Sequence, residues 1–73
     1  PSTVINYQLP VTSNVKLSVF DILGKTVSVL INESQNAGDH SITWNAGSFP
    51  SGVYFYKLEA GSFISNKKMI LIK

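Results

Sequence analysis

Hydrophobic and polar residues alternate along most of this chain, and a period of two is typical of β-strands that bury one face. The clearest case is residues 49–60, where the turn cluster Pro50-Ser51-Gly52 leads into a run of aromatic and β-branched residues. One side of that run ends in charged residues, so the predicted core face is the other side, formed by Tyr54, Tyr56 and Leu58. Phe55 then lies on the outer face and requires a cross-strand neighbour or a partner protein to cover it.

The same alternation predicts further strands at residues 3–9, 15–20, 26–31, 40–45 and 63–73. An interruption near Asn66 would divide the last of these, so six or seven strands are expected in all. For the strand at 26–31 the pattern does not decide which face is buried. Val27, Val29 and Ile31 share one face, but the other face also carries an apolar residue, Leu30. In the strands at 15–20 and 40–45 the predicted inward residues are Val15, Leu17, Val19, Ile42 and Trp44. In the first strand Ile5, Tyr7 and Leu9 share one face. In the last strand Met69 and Leu71 form one face and Ile70 and Ile72 the other, without a choice between them.

Turn residues separate these runs at the expected places. Asp21 and Gly24 suit a type I turn in which the glycine takes a positive φ, and this predicts a hairpin between residues 15–20 and 26–31. Residues 32–39 are predicted to form a polar loop with Gly38 near its end. Gly61 and Ser62 fit a two-residue hairpin turn before the last strand.

Short strands at intervals of 8–12 residues, with glycine and proline between them and no helical periodicity, indicate an all-β fold. We therefore expect an immunoglobulin-like antiparallel β-sandwich, with a small barrel as the alternative. At 73 residues the chain forms one small domain. Pro1-Ser2-Thr3 is neither charged nor apolar and does not resemble a signal peptide, so we expect a module excised from a larger protein.

Composition narrows the possible functions. The chain is 44% hydrophobic and 14% charged, with a net charge of +2 from six lysines and no arginine, which argues against a nucleic-acid-binding protein. The absence of cysteine rules out disulfides and thiolate metal sites. No apolar run approaches the roughly 20 residues of a membrane-spanning helix.

No arrangement of polar residues predicts catalysis, a metal site or a cofactor. Gly24-Lys25-Thr26 resembles the end of a phosphate-binding loop, but the earlier glycine and the following helix are missing. His40 is the only histidine, and the four carboxylates are scattered over turns and outer faces. Asn32-Glu33-Ser34 matches a glycosylation sequon, which at three residues carries little weight.

Two features leave a binding role open. Trp44 shares the side of its strand with Ile42, which favours a core position over a sugar-stacking platform. The segment Lys67–Lys73 places four apolar residues between charges. It is interpreted either as a buried edge strand with lysines against aggregation or as a strand that a receptor recognises by strand addition.

Taken together, the order and spacing of these residues resemble the C-terminal sorting domain of type IX secretion system cargo. The shared features cover the whole chain, and they are Pro1-Ser2-Thr3, Ile5, Tyr7, Leu9-Pro10, Val19-Phe20-Asp21, Gly24, Gly38, Trp44, Pro50-Ser51-Gly52-Val53-Tyr54 and Lys67-Lys68-Met69. The chain is also similar to the immunoglobulin-like domain of the flagellar hook-capping protein. It departs from the sorting family mildly, with Lys25 where arginine is common and Asn45 where aspartate is frequent.

The resemblance implies a non-catalytic secretion signal at the C-terminus of a larger secreted protein of a Gram-negative bacterium. Such domains pass through the periplasm, are recognised by the outer-membrane translocon, and are usually removed by a sortase-like protease as the cargo reaches the cell surface or is secreted. By resemblance, the recognition residues map onto Gly52, Tyr54, Lys67, Lys68, Met69, Leu71 and Lys73. The structural positions are Asp21, Gly24, Gly38, Trp44 and Gly61. The alternative function is a carbohydrate-binding or structural β-sandwich module attached to a secreted enzyme.

Overall fold

The computed structural model describes residues 2–72 and shows an all-β fold of six strands without a helix in that range. The strands are β1 (Ser2–Leu9), β2 (Ser13–Asp21), β3 (Thr26–Gln35), β4 (Gly38–Asn45), β5 (Gly52–Ala60) and β6 (Phe63–Leu71). They form a two-stranded sheet, β1-β4, and a four-stranded sheet in the order β3-β2-β5-β6, with every pair antiparallel. The predicted immunoglobulin-like sandwich is confirmed, and a closed barrel is not formed.

The core lies between the two sheets, where the predicted inward faces meet. One cluster joins Ile5 and Leu9 of the smaller sheet to Val15, Leu17, Ile31, Leu58 and Ala60 of the larger. A second cluster gathers Val19, Trp44, Ala46, Tyr54 and Leu71. Leu17 and Val19 are completely inaccessible to solvent, as expected for alternate residues of a central strand. Alternation therefore identified the buried side of β2, β4 and β5 correctly and grouped the inward residues of β1 on one face.

The remaining strand, β3, owes its ambiguous pattern to two irregularities in its pairing with β2. The register shifts between Leu17 and Ser18, and again between Val19 and Phe20. Each shift inserts a residue of β3 without a partner and rotates the following side chains to the other face. As a result Val27 and Leu30 both pack against the core, although they lie an odd number of residues apart.

Two of the predicted boundaries are wrong. The polar loop expected at residues 32–39 is mostly strand, because residues 32–35 continue the ladder opposite residues 13–16 of β2. Only Asn36 and Ala37 connect β3 to β4, and Gly38 begins β4 with a φ of +128°. The interruption expected near Asn66 is absent, since Asn66 pairs with Lys57 in an unbroken register. Hydrogen bonding to a neighbouring strand thus maintains extended structure through polar sequence.

The end of the sandwich near the 46–51 turn is held by aromatic packing. The Trp44 and Tyr54 rings meet edge to face with centroids 5.3 Å apart, and Phe49 lies 5.5 Å from Trp44. The Tyr54 hydroxyl donates a hydrogen bond of 2.7 Å to the carbonyl oxygen of Pro50, four residues earlier. This bond ties the start of β5 to the turn before it.

Tyr7 connects the smaller sheet to the far end of β3. Its ring stacks on His40 with centroids 5.3 Å apart, and its hydroxyl donates a hydrogen bond to Oε1 of Gln35. Burial raises the pKa of Tyr7 above its ordinary value of 10.0, and the Glu33 carboxylate acts in the same direction. The contact with the Gln35 side chain acts in the opposite direction and lowers the pKa of Tyr7.

Substitution of Tyr54 by Phe should lower the free energy of unfolding by about 1 kcal/mol, since it removes one hydrogen bond and keeps the ring. Tyr56→Phe is the matched control, because the Tyr56 hydroxyl has no hydrogen-bond partner within residues 2–72. Urea denaturation of both variants provides the measurement. Equal losses in the two would contradict the role given to the bond with Pro50.

Tyr7 should make the domain less stable at alkaline pH. Its pKa is higher in the folded than in the unfolded state, so the folded state retains the proton longer. The resulting stability is complete below pH 10.0 and is lost as the pH rises through the raised pKa. Unfolding free energies measured from about pH 9 to pH 11, one unit on either side of the ordinary tyrosine pKa of about 10, should fall less steeply for Tyr7→Phe than for the parent. Identical slopes would show that Tyr7 is not the responsible group.

Candidate recognition site at the edge strand

The candidate site is β6, the outermost strand of the four-stranded sheet. One long side pairs with β5 and the other carries backbone N–H and C=O groups that no strand within residues 2–72 satisfies. Such an edge is a template on which another extended segment can add. The prediction that the C-terminal segment forms an edge strand is therefore confirmed.

The register with β5 divides the side chains of this strand between two environments. Met69 lies opposite Tyr54 and Leu71 opposite Gly52, so both contact the second core cluster. Ile70 falls between them and is 63% exposed on the outer face. The expectation of a buried edge strand is thus only half right, because alternate apolar residues of the segment face solvent.

Two lysines of β6 lie side by side in sequence and face opposite ways. Lys68 is on the outer face opposite Phe55, and Lys67 is on the inner side opposite Tyr56. Both are exposed, and neither forms an ion pair with any residue from 2 to 72. The ion pair found in that range joins Nζ of Lys57 to Oε1 of Glu59 at 3.1 Å. The edge therefore carries two positive charges that no acid of the described chain neutralises.

The outer face around Lys68 is apolar. Phe20, Phe55 and Lys68 lie in one row across β2, β5 and β6, and Val53 lies opposite Ile70 in a neighbouring row. Phe55 thus has the cross-strand neighbour that the sequence required, and it still exposes 36% of its surface. Towards the other end of the sheet the rows become polar and charged. Phe55, Val53 and Ile70 therefore form an apolar patch next to the C-terminal half of β6.

Of the residues matched by resemblance, the structure brings most together at the β5–β6 pairing and buries several of them. Tyr54 and Leu71 are 5% and 7% exposed, so both belong to the core. Gly52 is exposed, with a φ of +154°, at the position where β5 begins. Lys73 lies outside the described residues. The surface of the candidate site consequently consists of Gly52, Lys67 and Lys68, together with Ile70, which is exposed on the same strand as the two lysines.

The predicted structural positions occupy turns and core. Asp21 Oδ1 accepts hydrogen bonds from the backbone N–H groups of Leu23 and Lys25, at 3.0 and 2.9 Å, and Gly24 has a φ of +85°. Gly61 has a φ of +61°, and its N–H donates to the carbonyl of Asn14 at 3.2 Å. These turns join the strands of the larger sheet and so position β6 at its edge.

Sequence reasoning missed Phe63 and Ile64, which are 58% and 56% exposed at the start of β6. Phe63 lines a groove between β6 and β1 together with Tyr7 and Lys67. The signal in the sequence was two large apolar residues directly after a hairpin turn, on a strand whose position at the edge was not known.

Other predicted binding features have structural explanations. Trp44 is 2% exposed and cannot offer a face to a sugar, so its core assignment is confirmed. His40 stacks on Tyr7, and its Nε2 lies 2.7 Å from the carbonyl oxygen of Asn36. Residues 2–72 contain no cluster of three or more histidine, cysteine or acidic side chains close enough to hold a metal ion. Nor does that range contain a helix long and apolar enough to cross a membrane.

A comparison with protein families agrees with the resemblance noted from the sequence. The family model described as a secretion system C-terminal sorting domain matches residues 2–73. No curated protein and no solved structure gives a significant match. The match spans essentially the whole chain and the fold is the all-β sandwich expected of it. The chain therefore belongs to the family of secretion-system C-terminal sorting domains, the non-catalytic signals that direct type IX cargo to the cell surface or to secretion.

Proposed function

We propose that residues 1–73 form a single module at the C-terminus of a longer secreted protein, and that β6 presents the address that the type IX translocon recognises. The observation that carries this proposal is the division of β6 into two sides. Met69 and Leu71 anchor the strand in the core, while Lys68 and Ile70 are displayed on an open sheet edge. A folded domain can thus be recognised without being opened.

In this proposal the residues matched by resemblance have two distinct roles. Tyr54, Met69 and Leu71 hold the strand in register, and Gly52 gives β5 its sharp start. Lys67 and Lys68 supply unneutralised charge that contacts acidic groups on the translocon, and Lys73 continues the same basic tail. Charge of this kind contributes mainly to the rate and specificity of association, whereas the apolar side chains beside it contribute most of the affinity.

The proposed route is the one that the resemblance implies. The cargo, attached on the N-terminal side, crosses the periplasm with the domain folded. The outer-membrane translocon then exports it, and a sortase-like protease separates domain and cargo at the surface. The module itself performs no catalysis in this scheme, and any enzymatic activity belongs to the attached protein. The surface signal has to survive periplasmic passage, which favours a stable folded strand over a flexible tail.

The proposal is tested by fusing residues 1–73 to a periplasmic reporter in a host with a type IX system. The double variant Lys68→Glu with Ile70→Thr changes only exposed outer-face side chains, and threonine retains a high strand propensity. Surface delivery should fall about tenfold or more, because loss of 1.4 kcal/mol of binding free energy weakens an affinity by that factor. Reporter on the cell surface is compared with reporter retained in the periplasm.

The matched control is Lys25→Glu with Val29→Thr, which reverses one exposed lysine and replaces one exposed apolar residue at the other side of the same sheet. Delivery of the control should equal that of the parent domain. Circular dichroism of both purified domains confirms that they fold. If both double variants are delivered normally, the outer face of β6 is not the address.

A further inference from the structure

The two sheets differ in width, and the difference leaves a groove along one side of the sandwich. Two strands face four, so the inner side of β6 is not fully covered by the smaller sheet. The groove has a volume of about 190 Å³ beside Asn6, Tyr7 and Lys67, and it continues past Phe63 into a second depression of about 420 Å³ beside Val11. Phe63 and Gln8 line both parts, so the depressions form one continuous channel between β1 and β6.

One wall of this groove is an open strand edge without the usual protection. The other three edge strands carry charged side chains, with Glu33 in β3, Asp39 in β4 and Lys67 in β6, and β3 is further distorted by its register shifts. Across the eight residues of β1, in contrast, no Asp, Glu, Lys, Arg or Pro occurs, and its pairing with β4 is regular. Edges of this kind bind further strands unless charge, proline or a bulge prevents it.

The side chains that line the rest of the groove are mostly apolar, with one positive charge. Phe63 is 58% exposed, and at the far end Val11 is 63% exposed. The one charged side chain lining the groove from Asn6 to Val11 is Lys67, which forms no ion pair within residues 2–72. A ligand that fills this space should therefore be apolar along most of its length and negatively charged beside Lys67.

We propose that the groove binds an extended acidic–apolar peptide segment of a partner protein, which adds to β1 as a third strand of the smaller sheet. An antiparallel segment of about eight residues would match the length of β1 at roughly 3.4 Å per residue. Its alternate apolar side chains would cover Phe63 and Tyr7, and a carboxylate near its middle would pair with Lys67, which lines the groove beside Asn6 and Tyr7. Backbone hydrogen bonds to β1 supply affinity and the groove supplies specificity.

This site goes beyond the export address. Lys67 belongs to both, but the groove lies on the inner side of β6, whereas Lys68 and Ile70 lie on the outer side. It requires only that a suitable peptide be present, so its failure and the failure of the export proposal are distinguishable. A variant could lose export and still bind the peptide, or the reverse.

The test uses residues 1–73, labelled with ¹⁵N, and a blocked synthetic peptide of about eight residues in which valine and threonine alternate. A glutamate replaces the third of the four valines, so that it shares the apolar face and lies near the middle of β1, beside Lys67. Titration should produce saturable amide shift changes in residues of β1 and at Phe63. A peptide methylated on alternate backbone nitrogens should not bind, because it cannot complete the ladder with β1.

Charge reversal then tests the predicted contact between the peptide carboxylate and Lys67. Lys67→Glu should weaken binding of the glutamate peptide roughly tenfold, the factor that 1.4 kcal/mol represents, and should favour a peptide with lysine at that position. Lys68→Glu is the matched control on the opposite face and should leave the affinity unchanged. The proposal is overturned if both variants behave alike, or if the shift changes map to β3 or to the outer face of β6. It is also overturned if the same residues shift with protein concentration alone, since a second copy would then occupy the groove.

Discussion

The register between β5 and β6 is the constraint on which the rest of this domain depends. Tyr54 opposite Met69 and Gly52 opposite Leu71 determine which side chains of the last strand enter the core. Because side chains alternate, a slip of one residue would bury Lys68 and Ile70 and expose Met69 and Leu71. The desolvation of an unpaired lysine makes that arrangement unfavourable, so packing and charge specify the same register. One set of backbone hydrogen bonds therefore fixes both the core and the surface that a receptor meets.

The turns and the aromatic cluster support this register from the other end of β5. The bond from the Tyr54 hydroxyl to Pro50 sets where the strand starts, and Gly61 reverses the chain tightly after Ala60. With both ends of β5 fixed, β6 has no freedom to shift along it. The same geometry explains the groove. β6 is held at the edge of a four-stranded sheet, and the opposing two-stranded sheet is too narrow to cover its inner side.

Much of the fold was predictable because most strands obey strict alternation. The inward faces of β2, β4 and β5, and the grouping of residues in β1, follow directly from residues such as Ile5, Leu17 and Leu58. The apolar run 69–72 of the last strand gave no such choice, because both of its faces are apolar. β3 could not be resolved this way, because bulges change the period and depend on how two strands pair. Residues 32–35 were missed for a related reason, since polar sequence becomes strand when a neighbour satisfies its backbone. The local pattern of apolar residues indicates which side chains are buried. Where a strand ends depends instead on backbone hydrogen bonds to residues far away in the chain.

The candidate site was predictable in part. The resemblance pointed to Lys67 and Lys68, and alternation places them on opposite faces, but only the register shows that Lys67 faces inward and Lys68 outward. The groove beside Phe63 was not predictable, because it results from the unequal widths of two sheets and from the order of the strands within them.

The most direct test of the central claim is to compare export with stability across single substitutions in β6. Inward variants such as Leu71→Ala and outward variants such as Ile70→Thr are each measured for unfolding free energy and for surface delivery. The account predicts that inward variants lose delivery only as stability falls, and that outward variants lose it at unchanged stability. If all variants instead fall on one line relating delivery to stability, export reports folding alone and β6 carries no separate address.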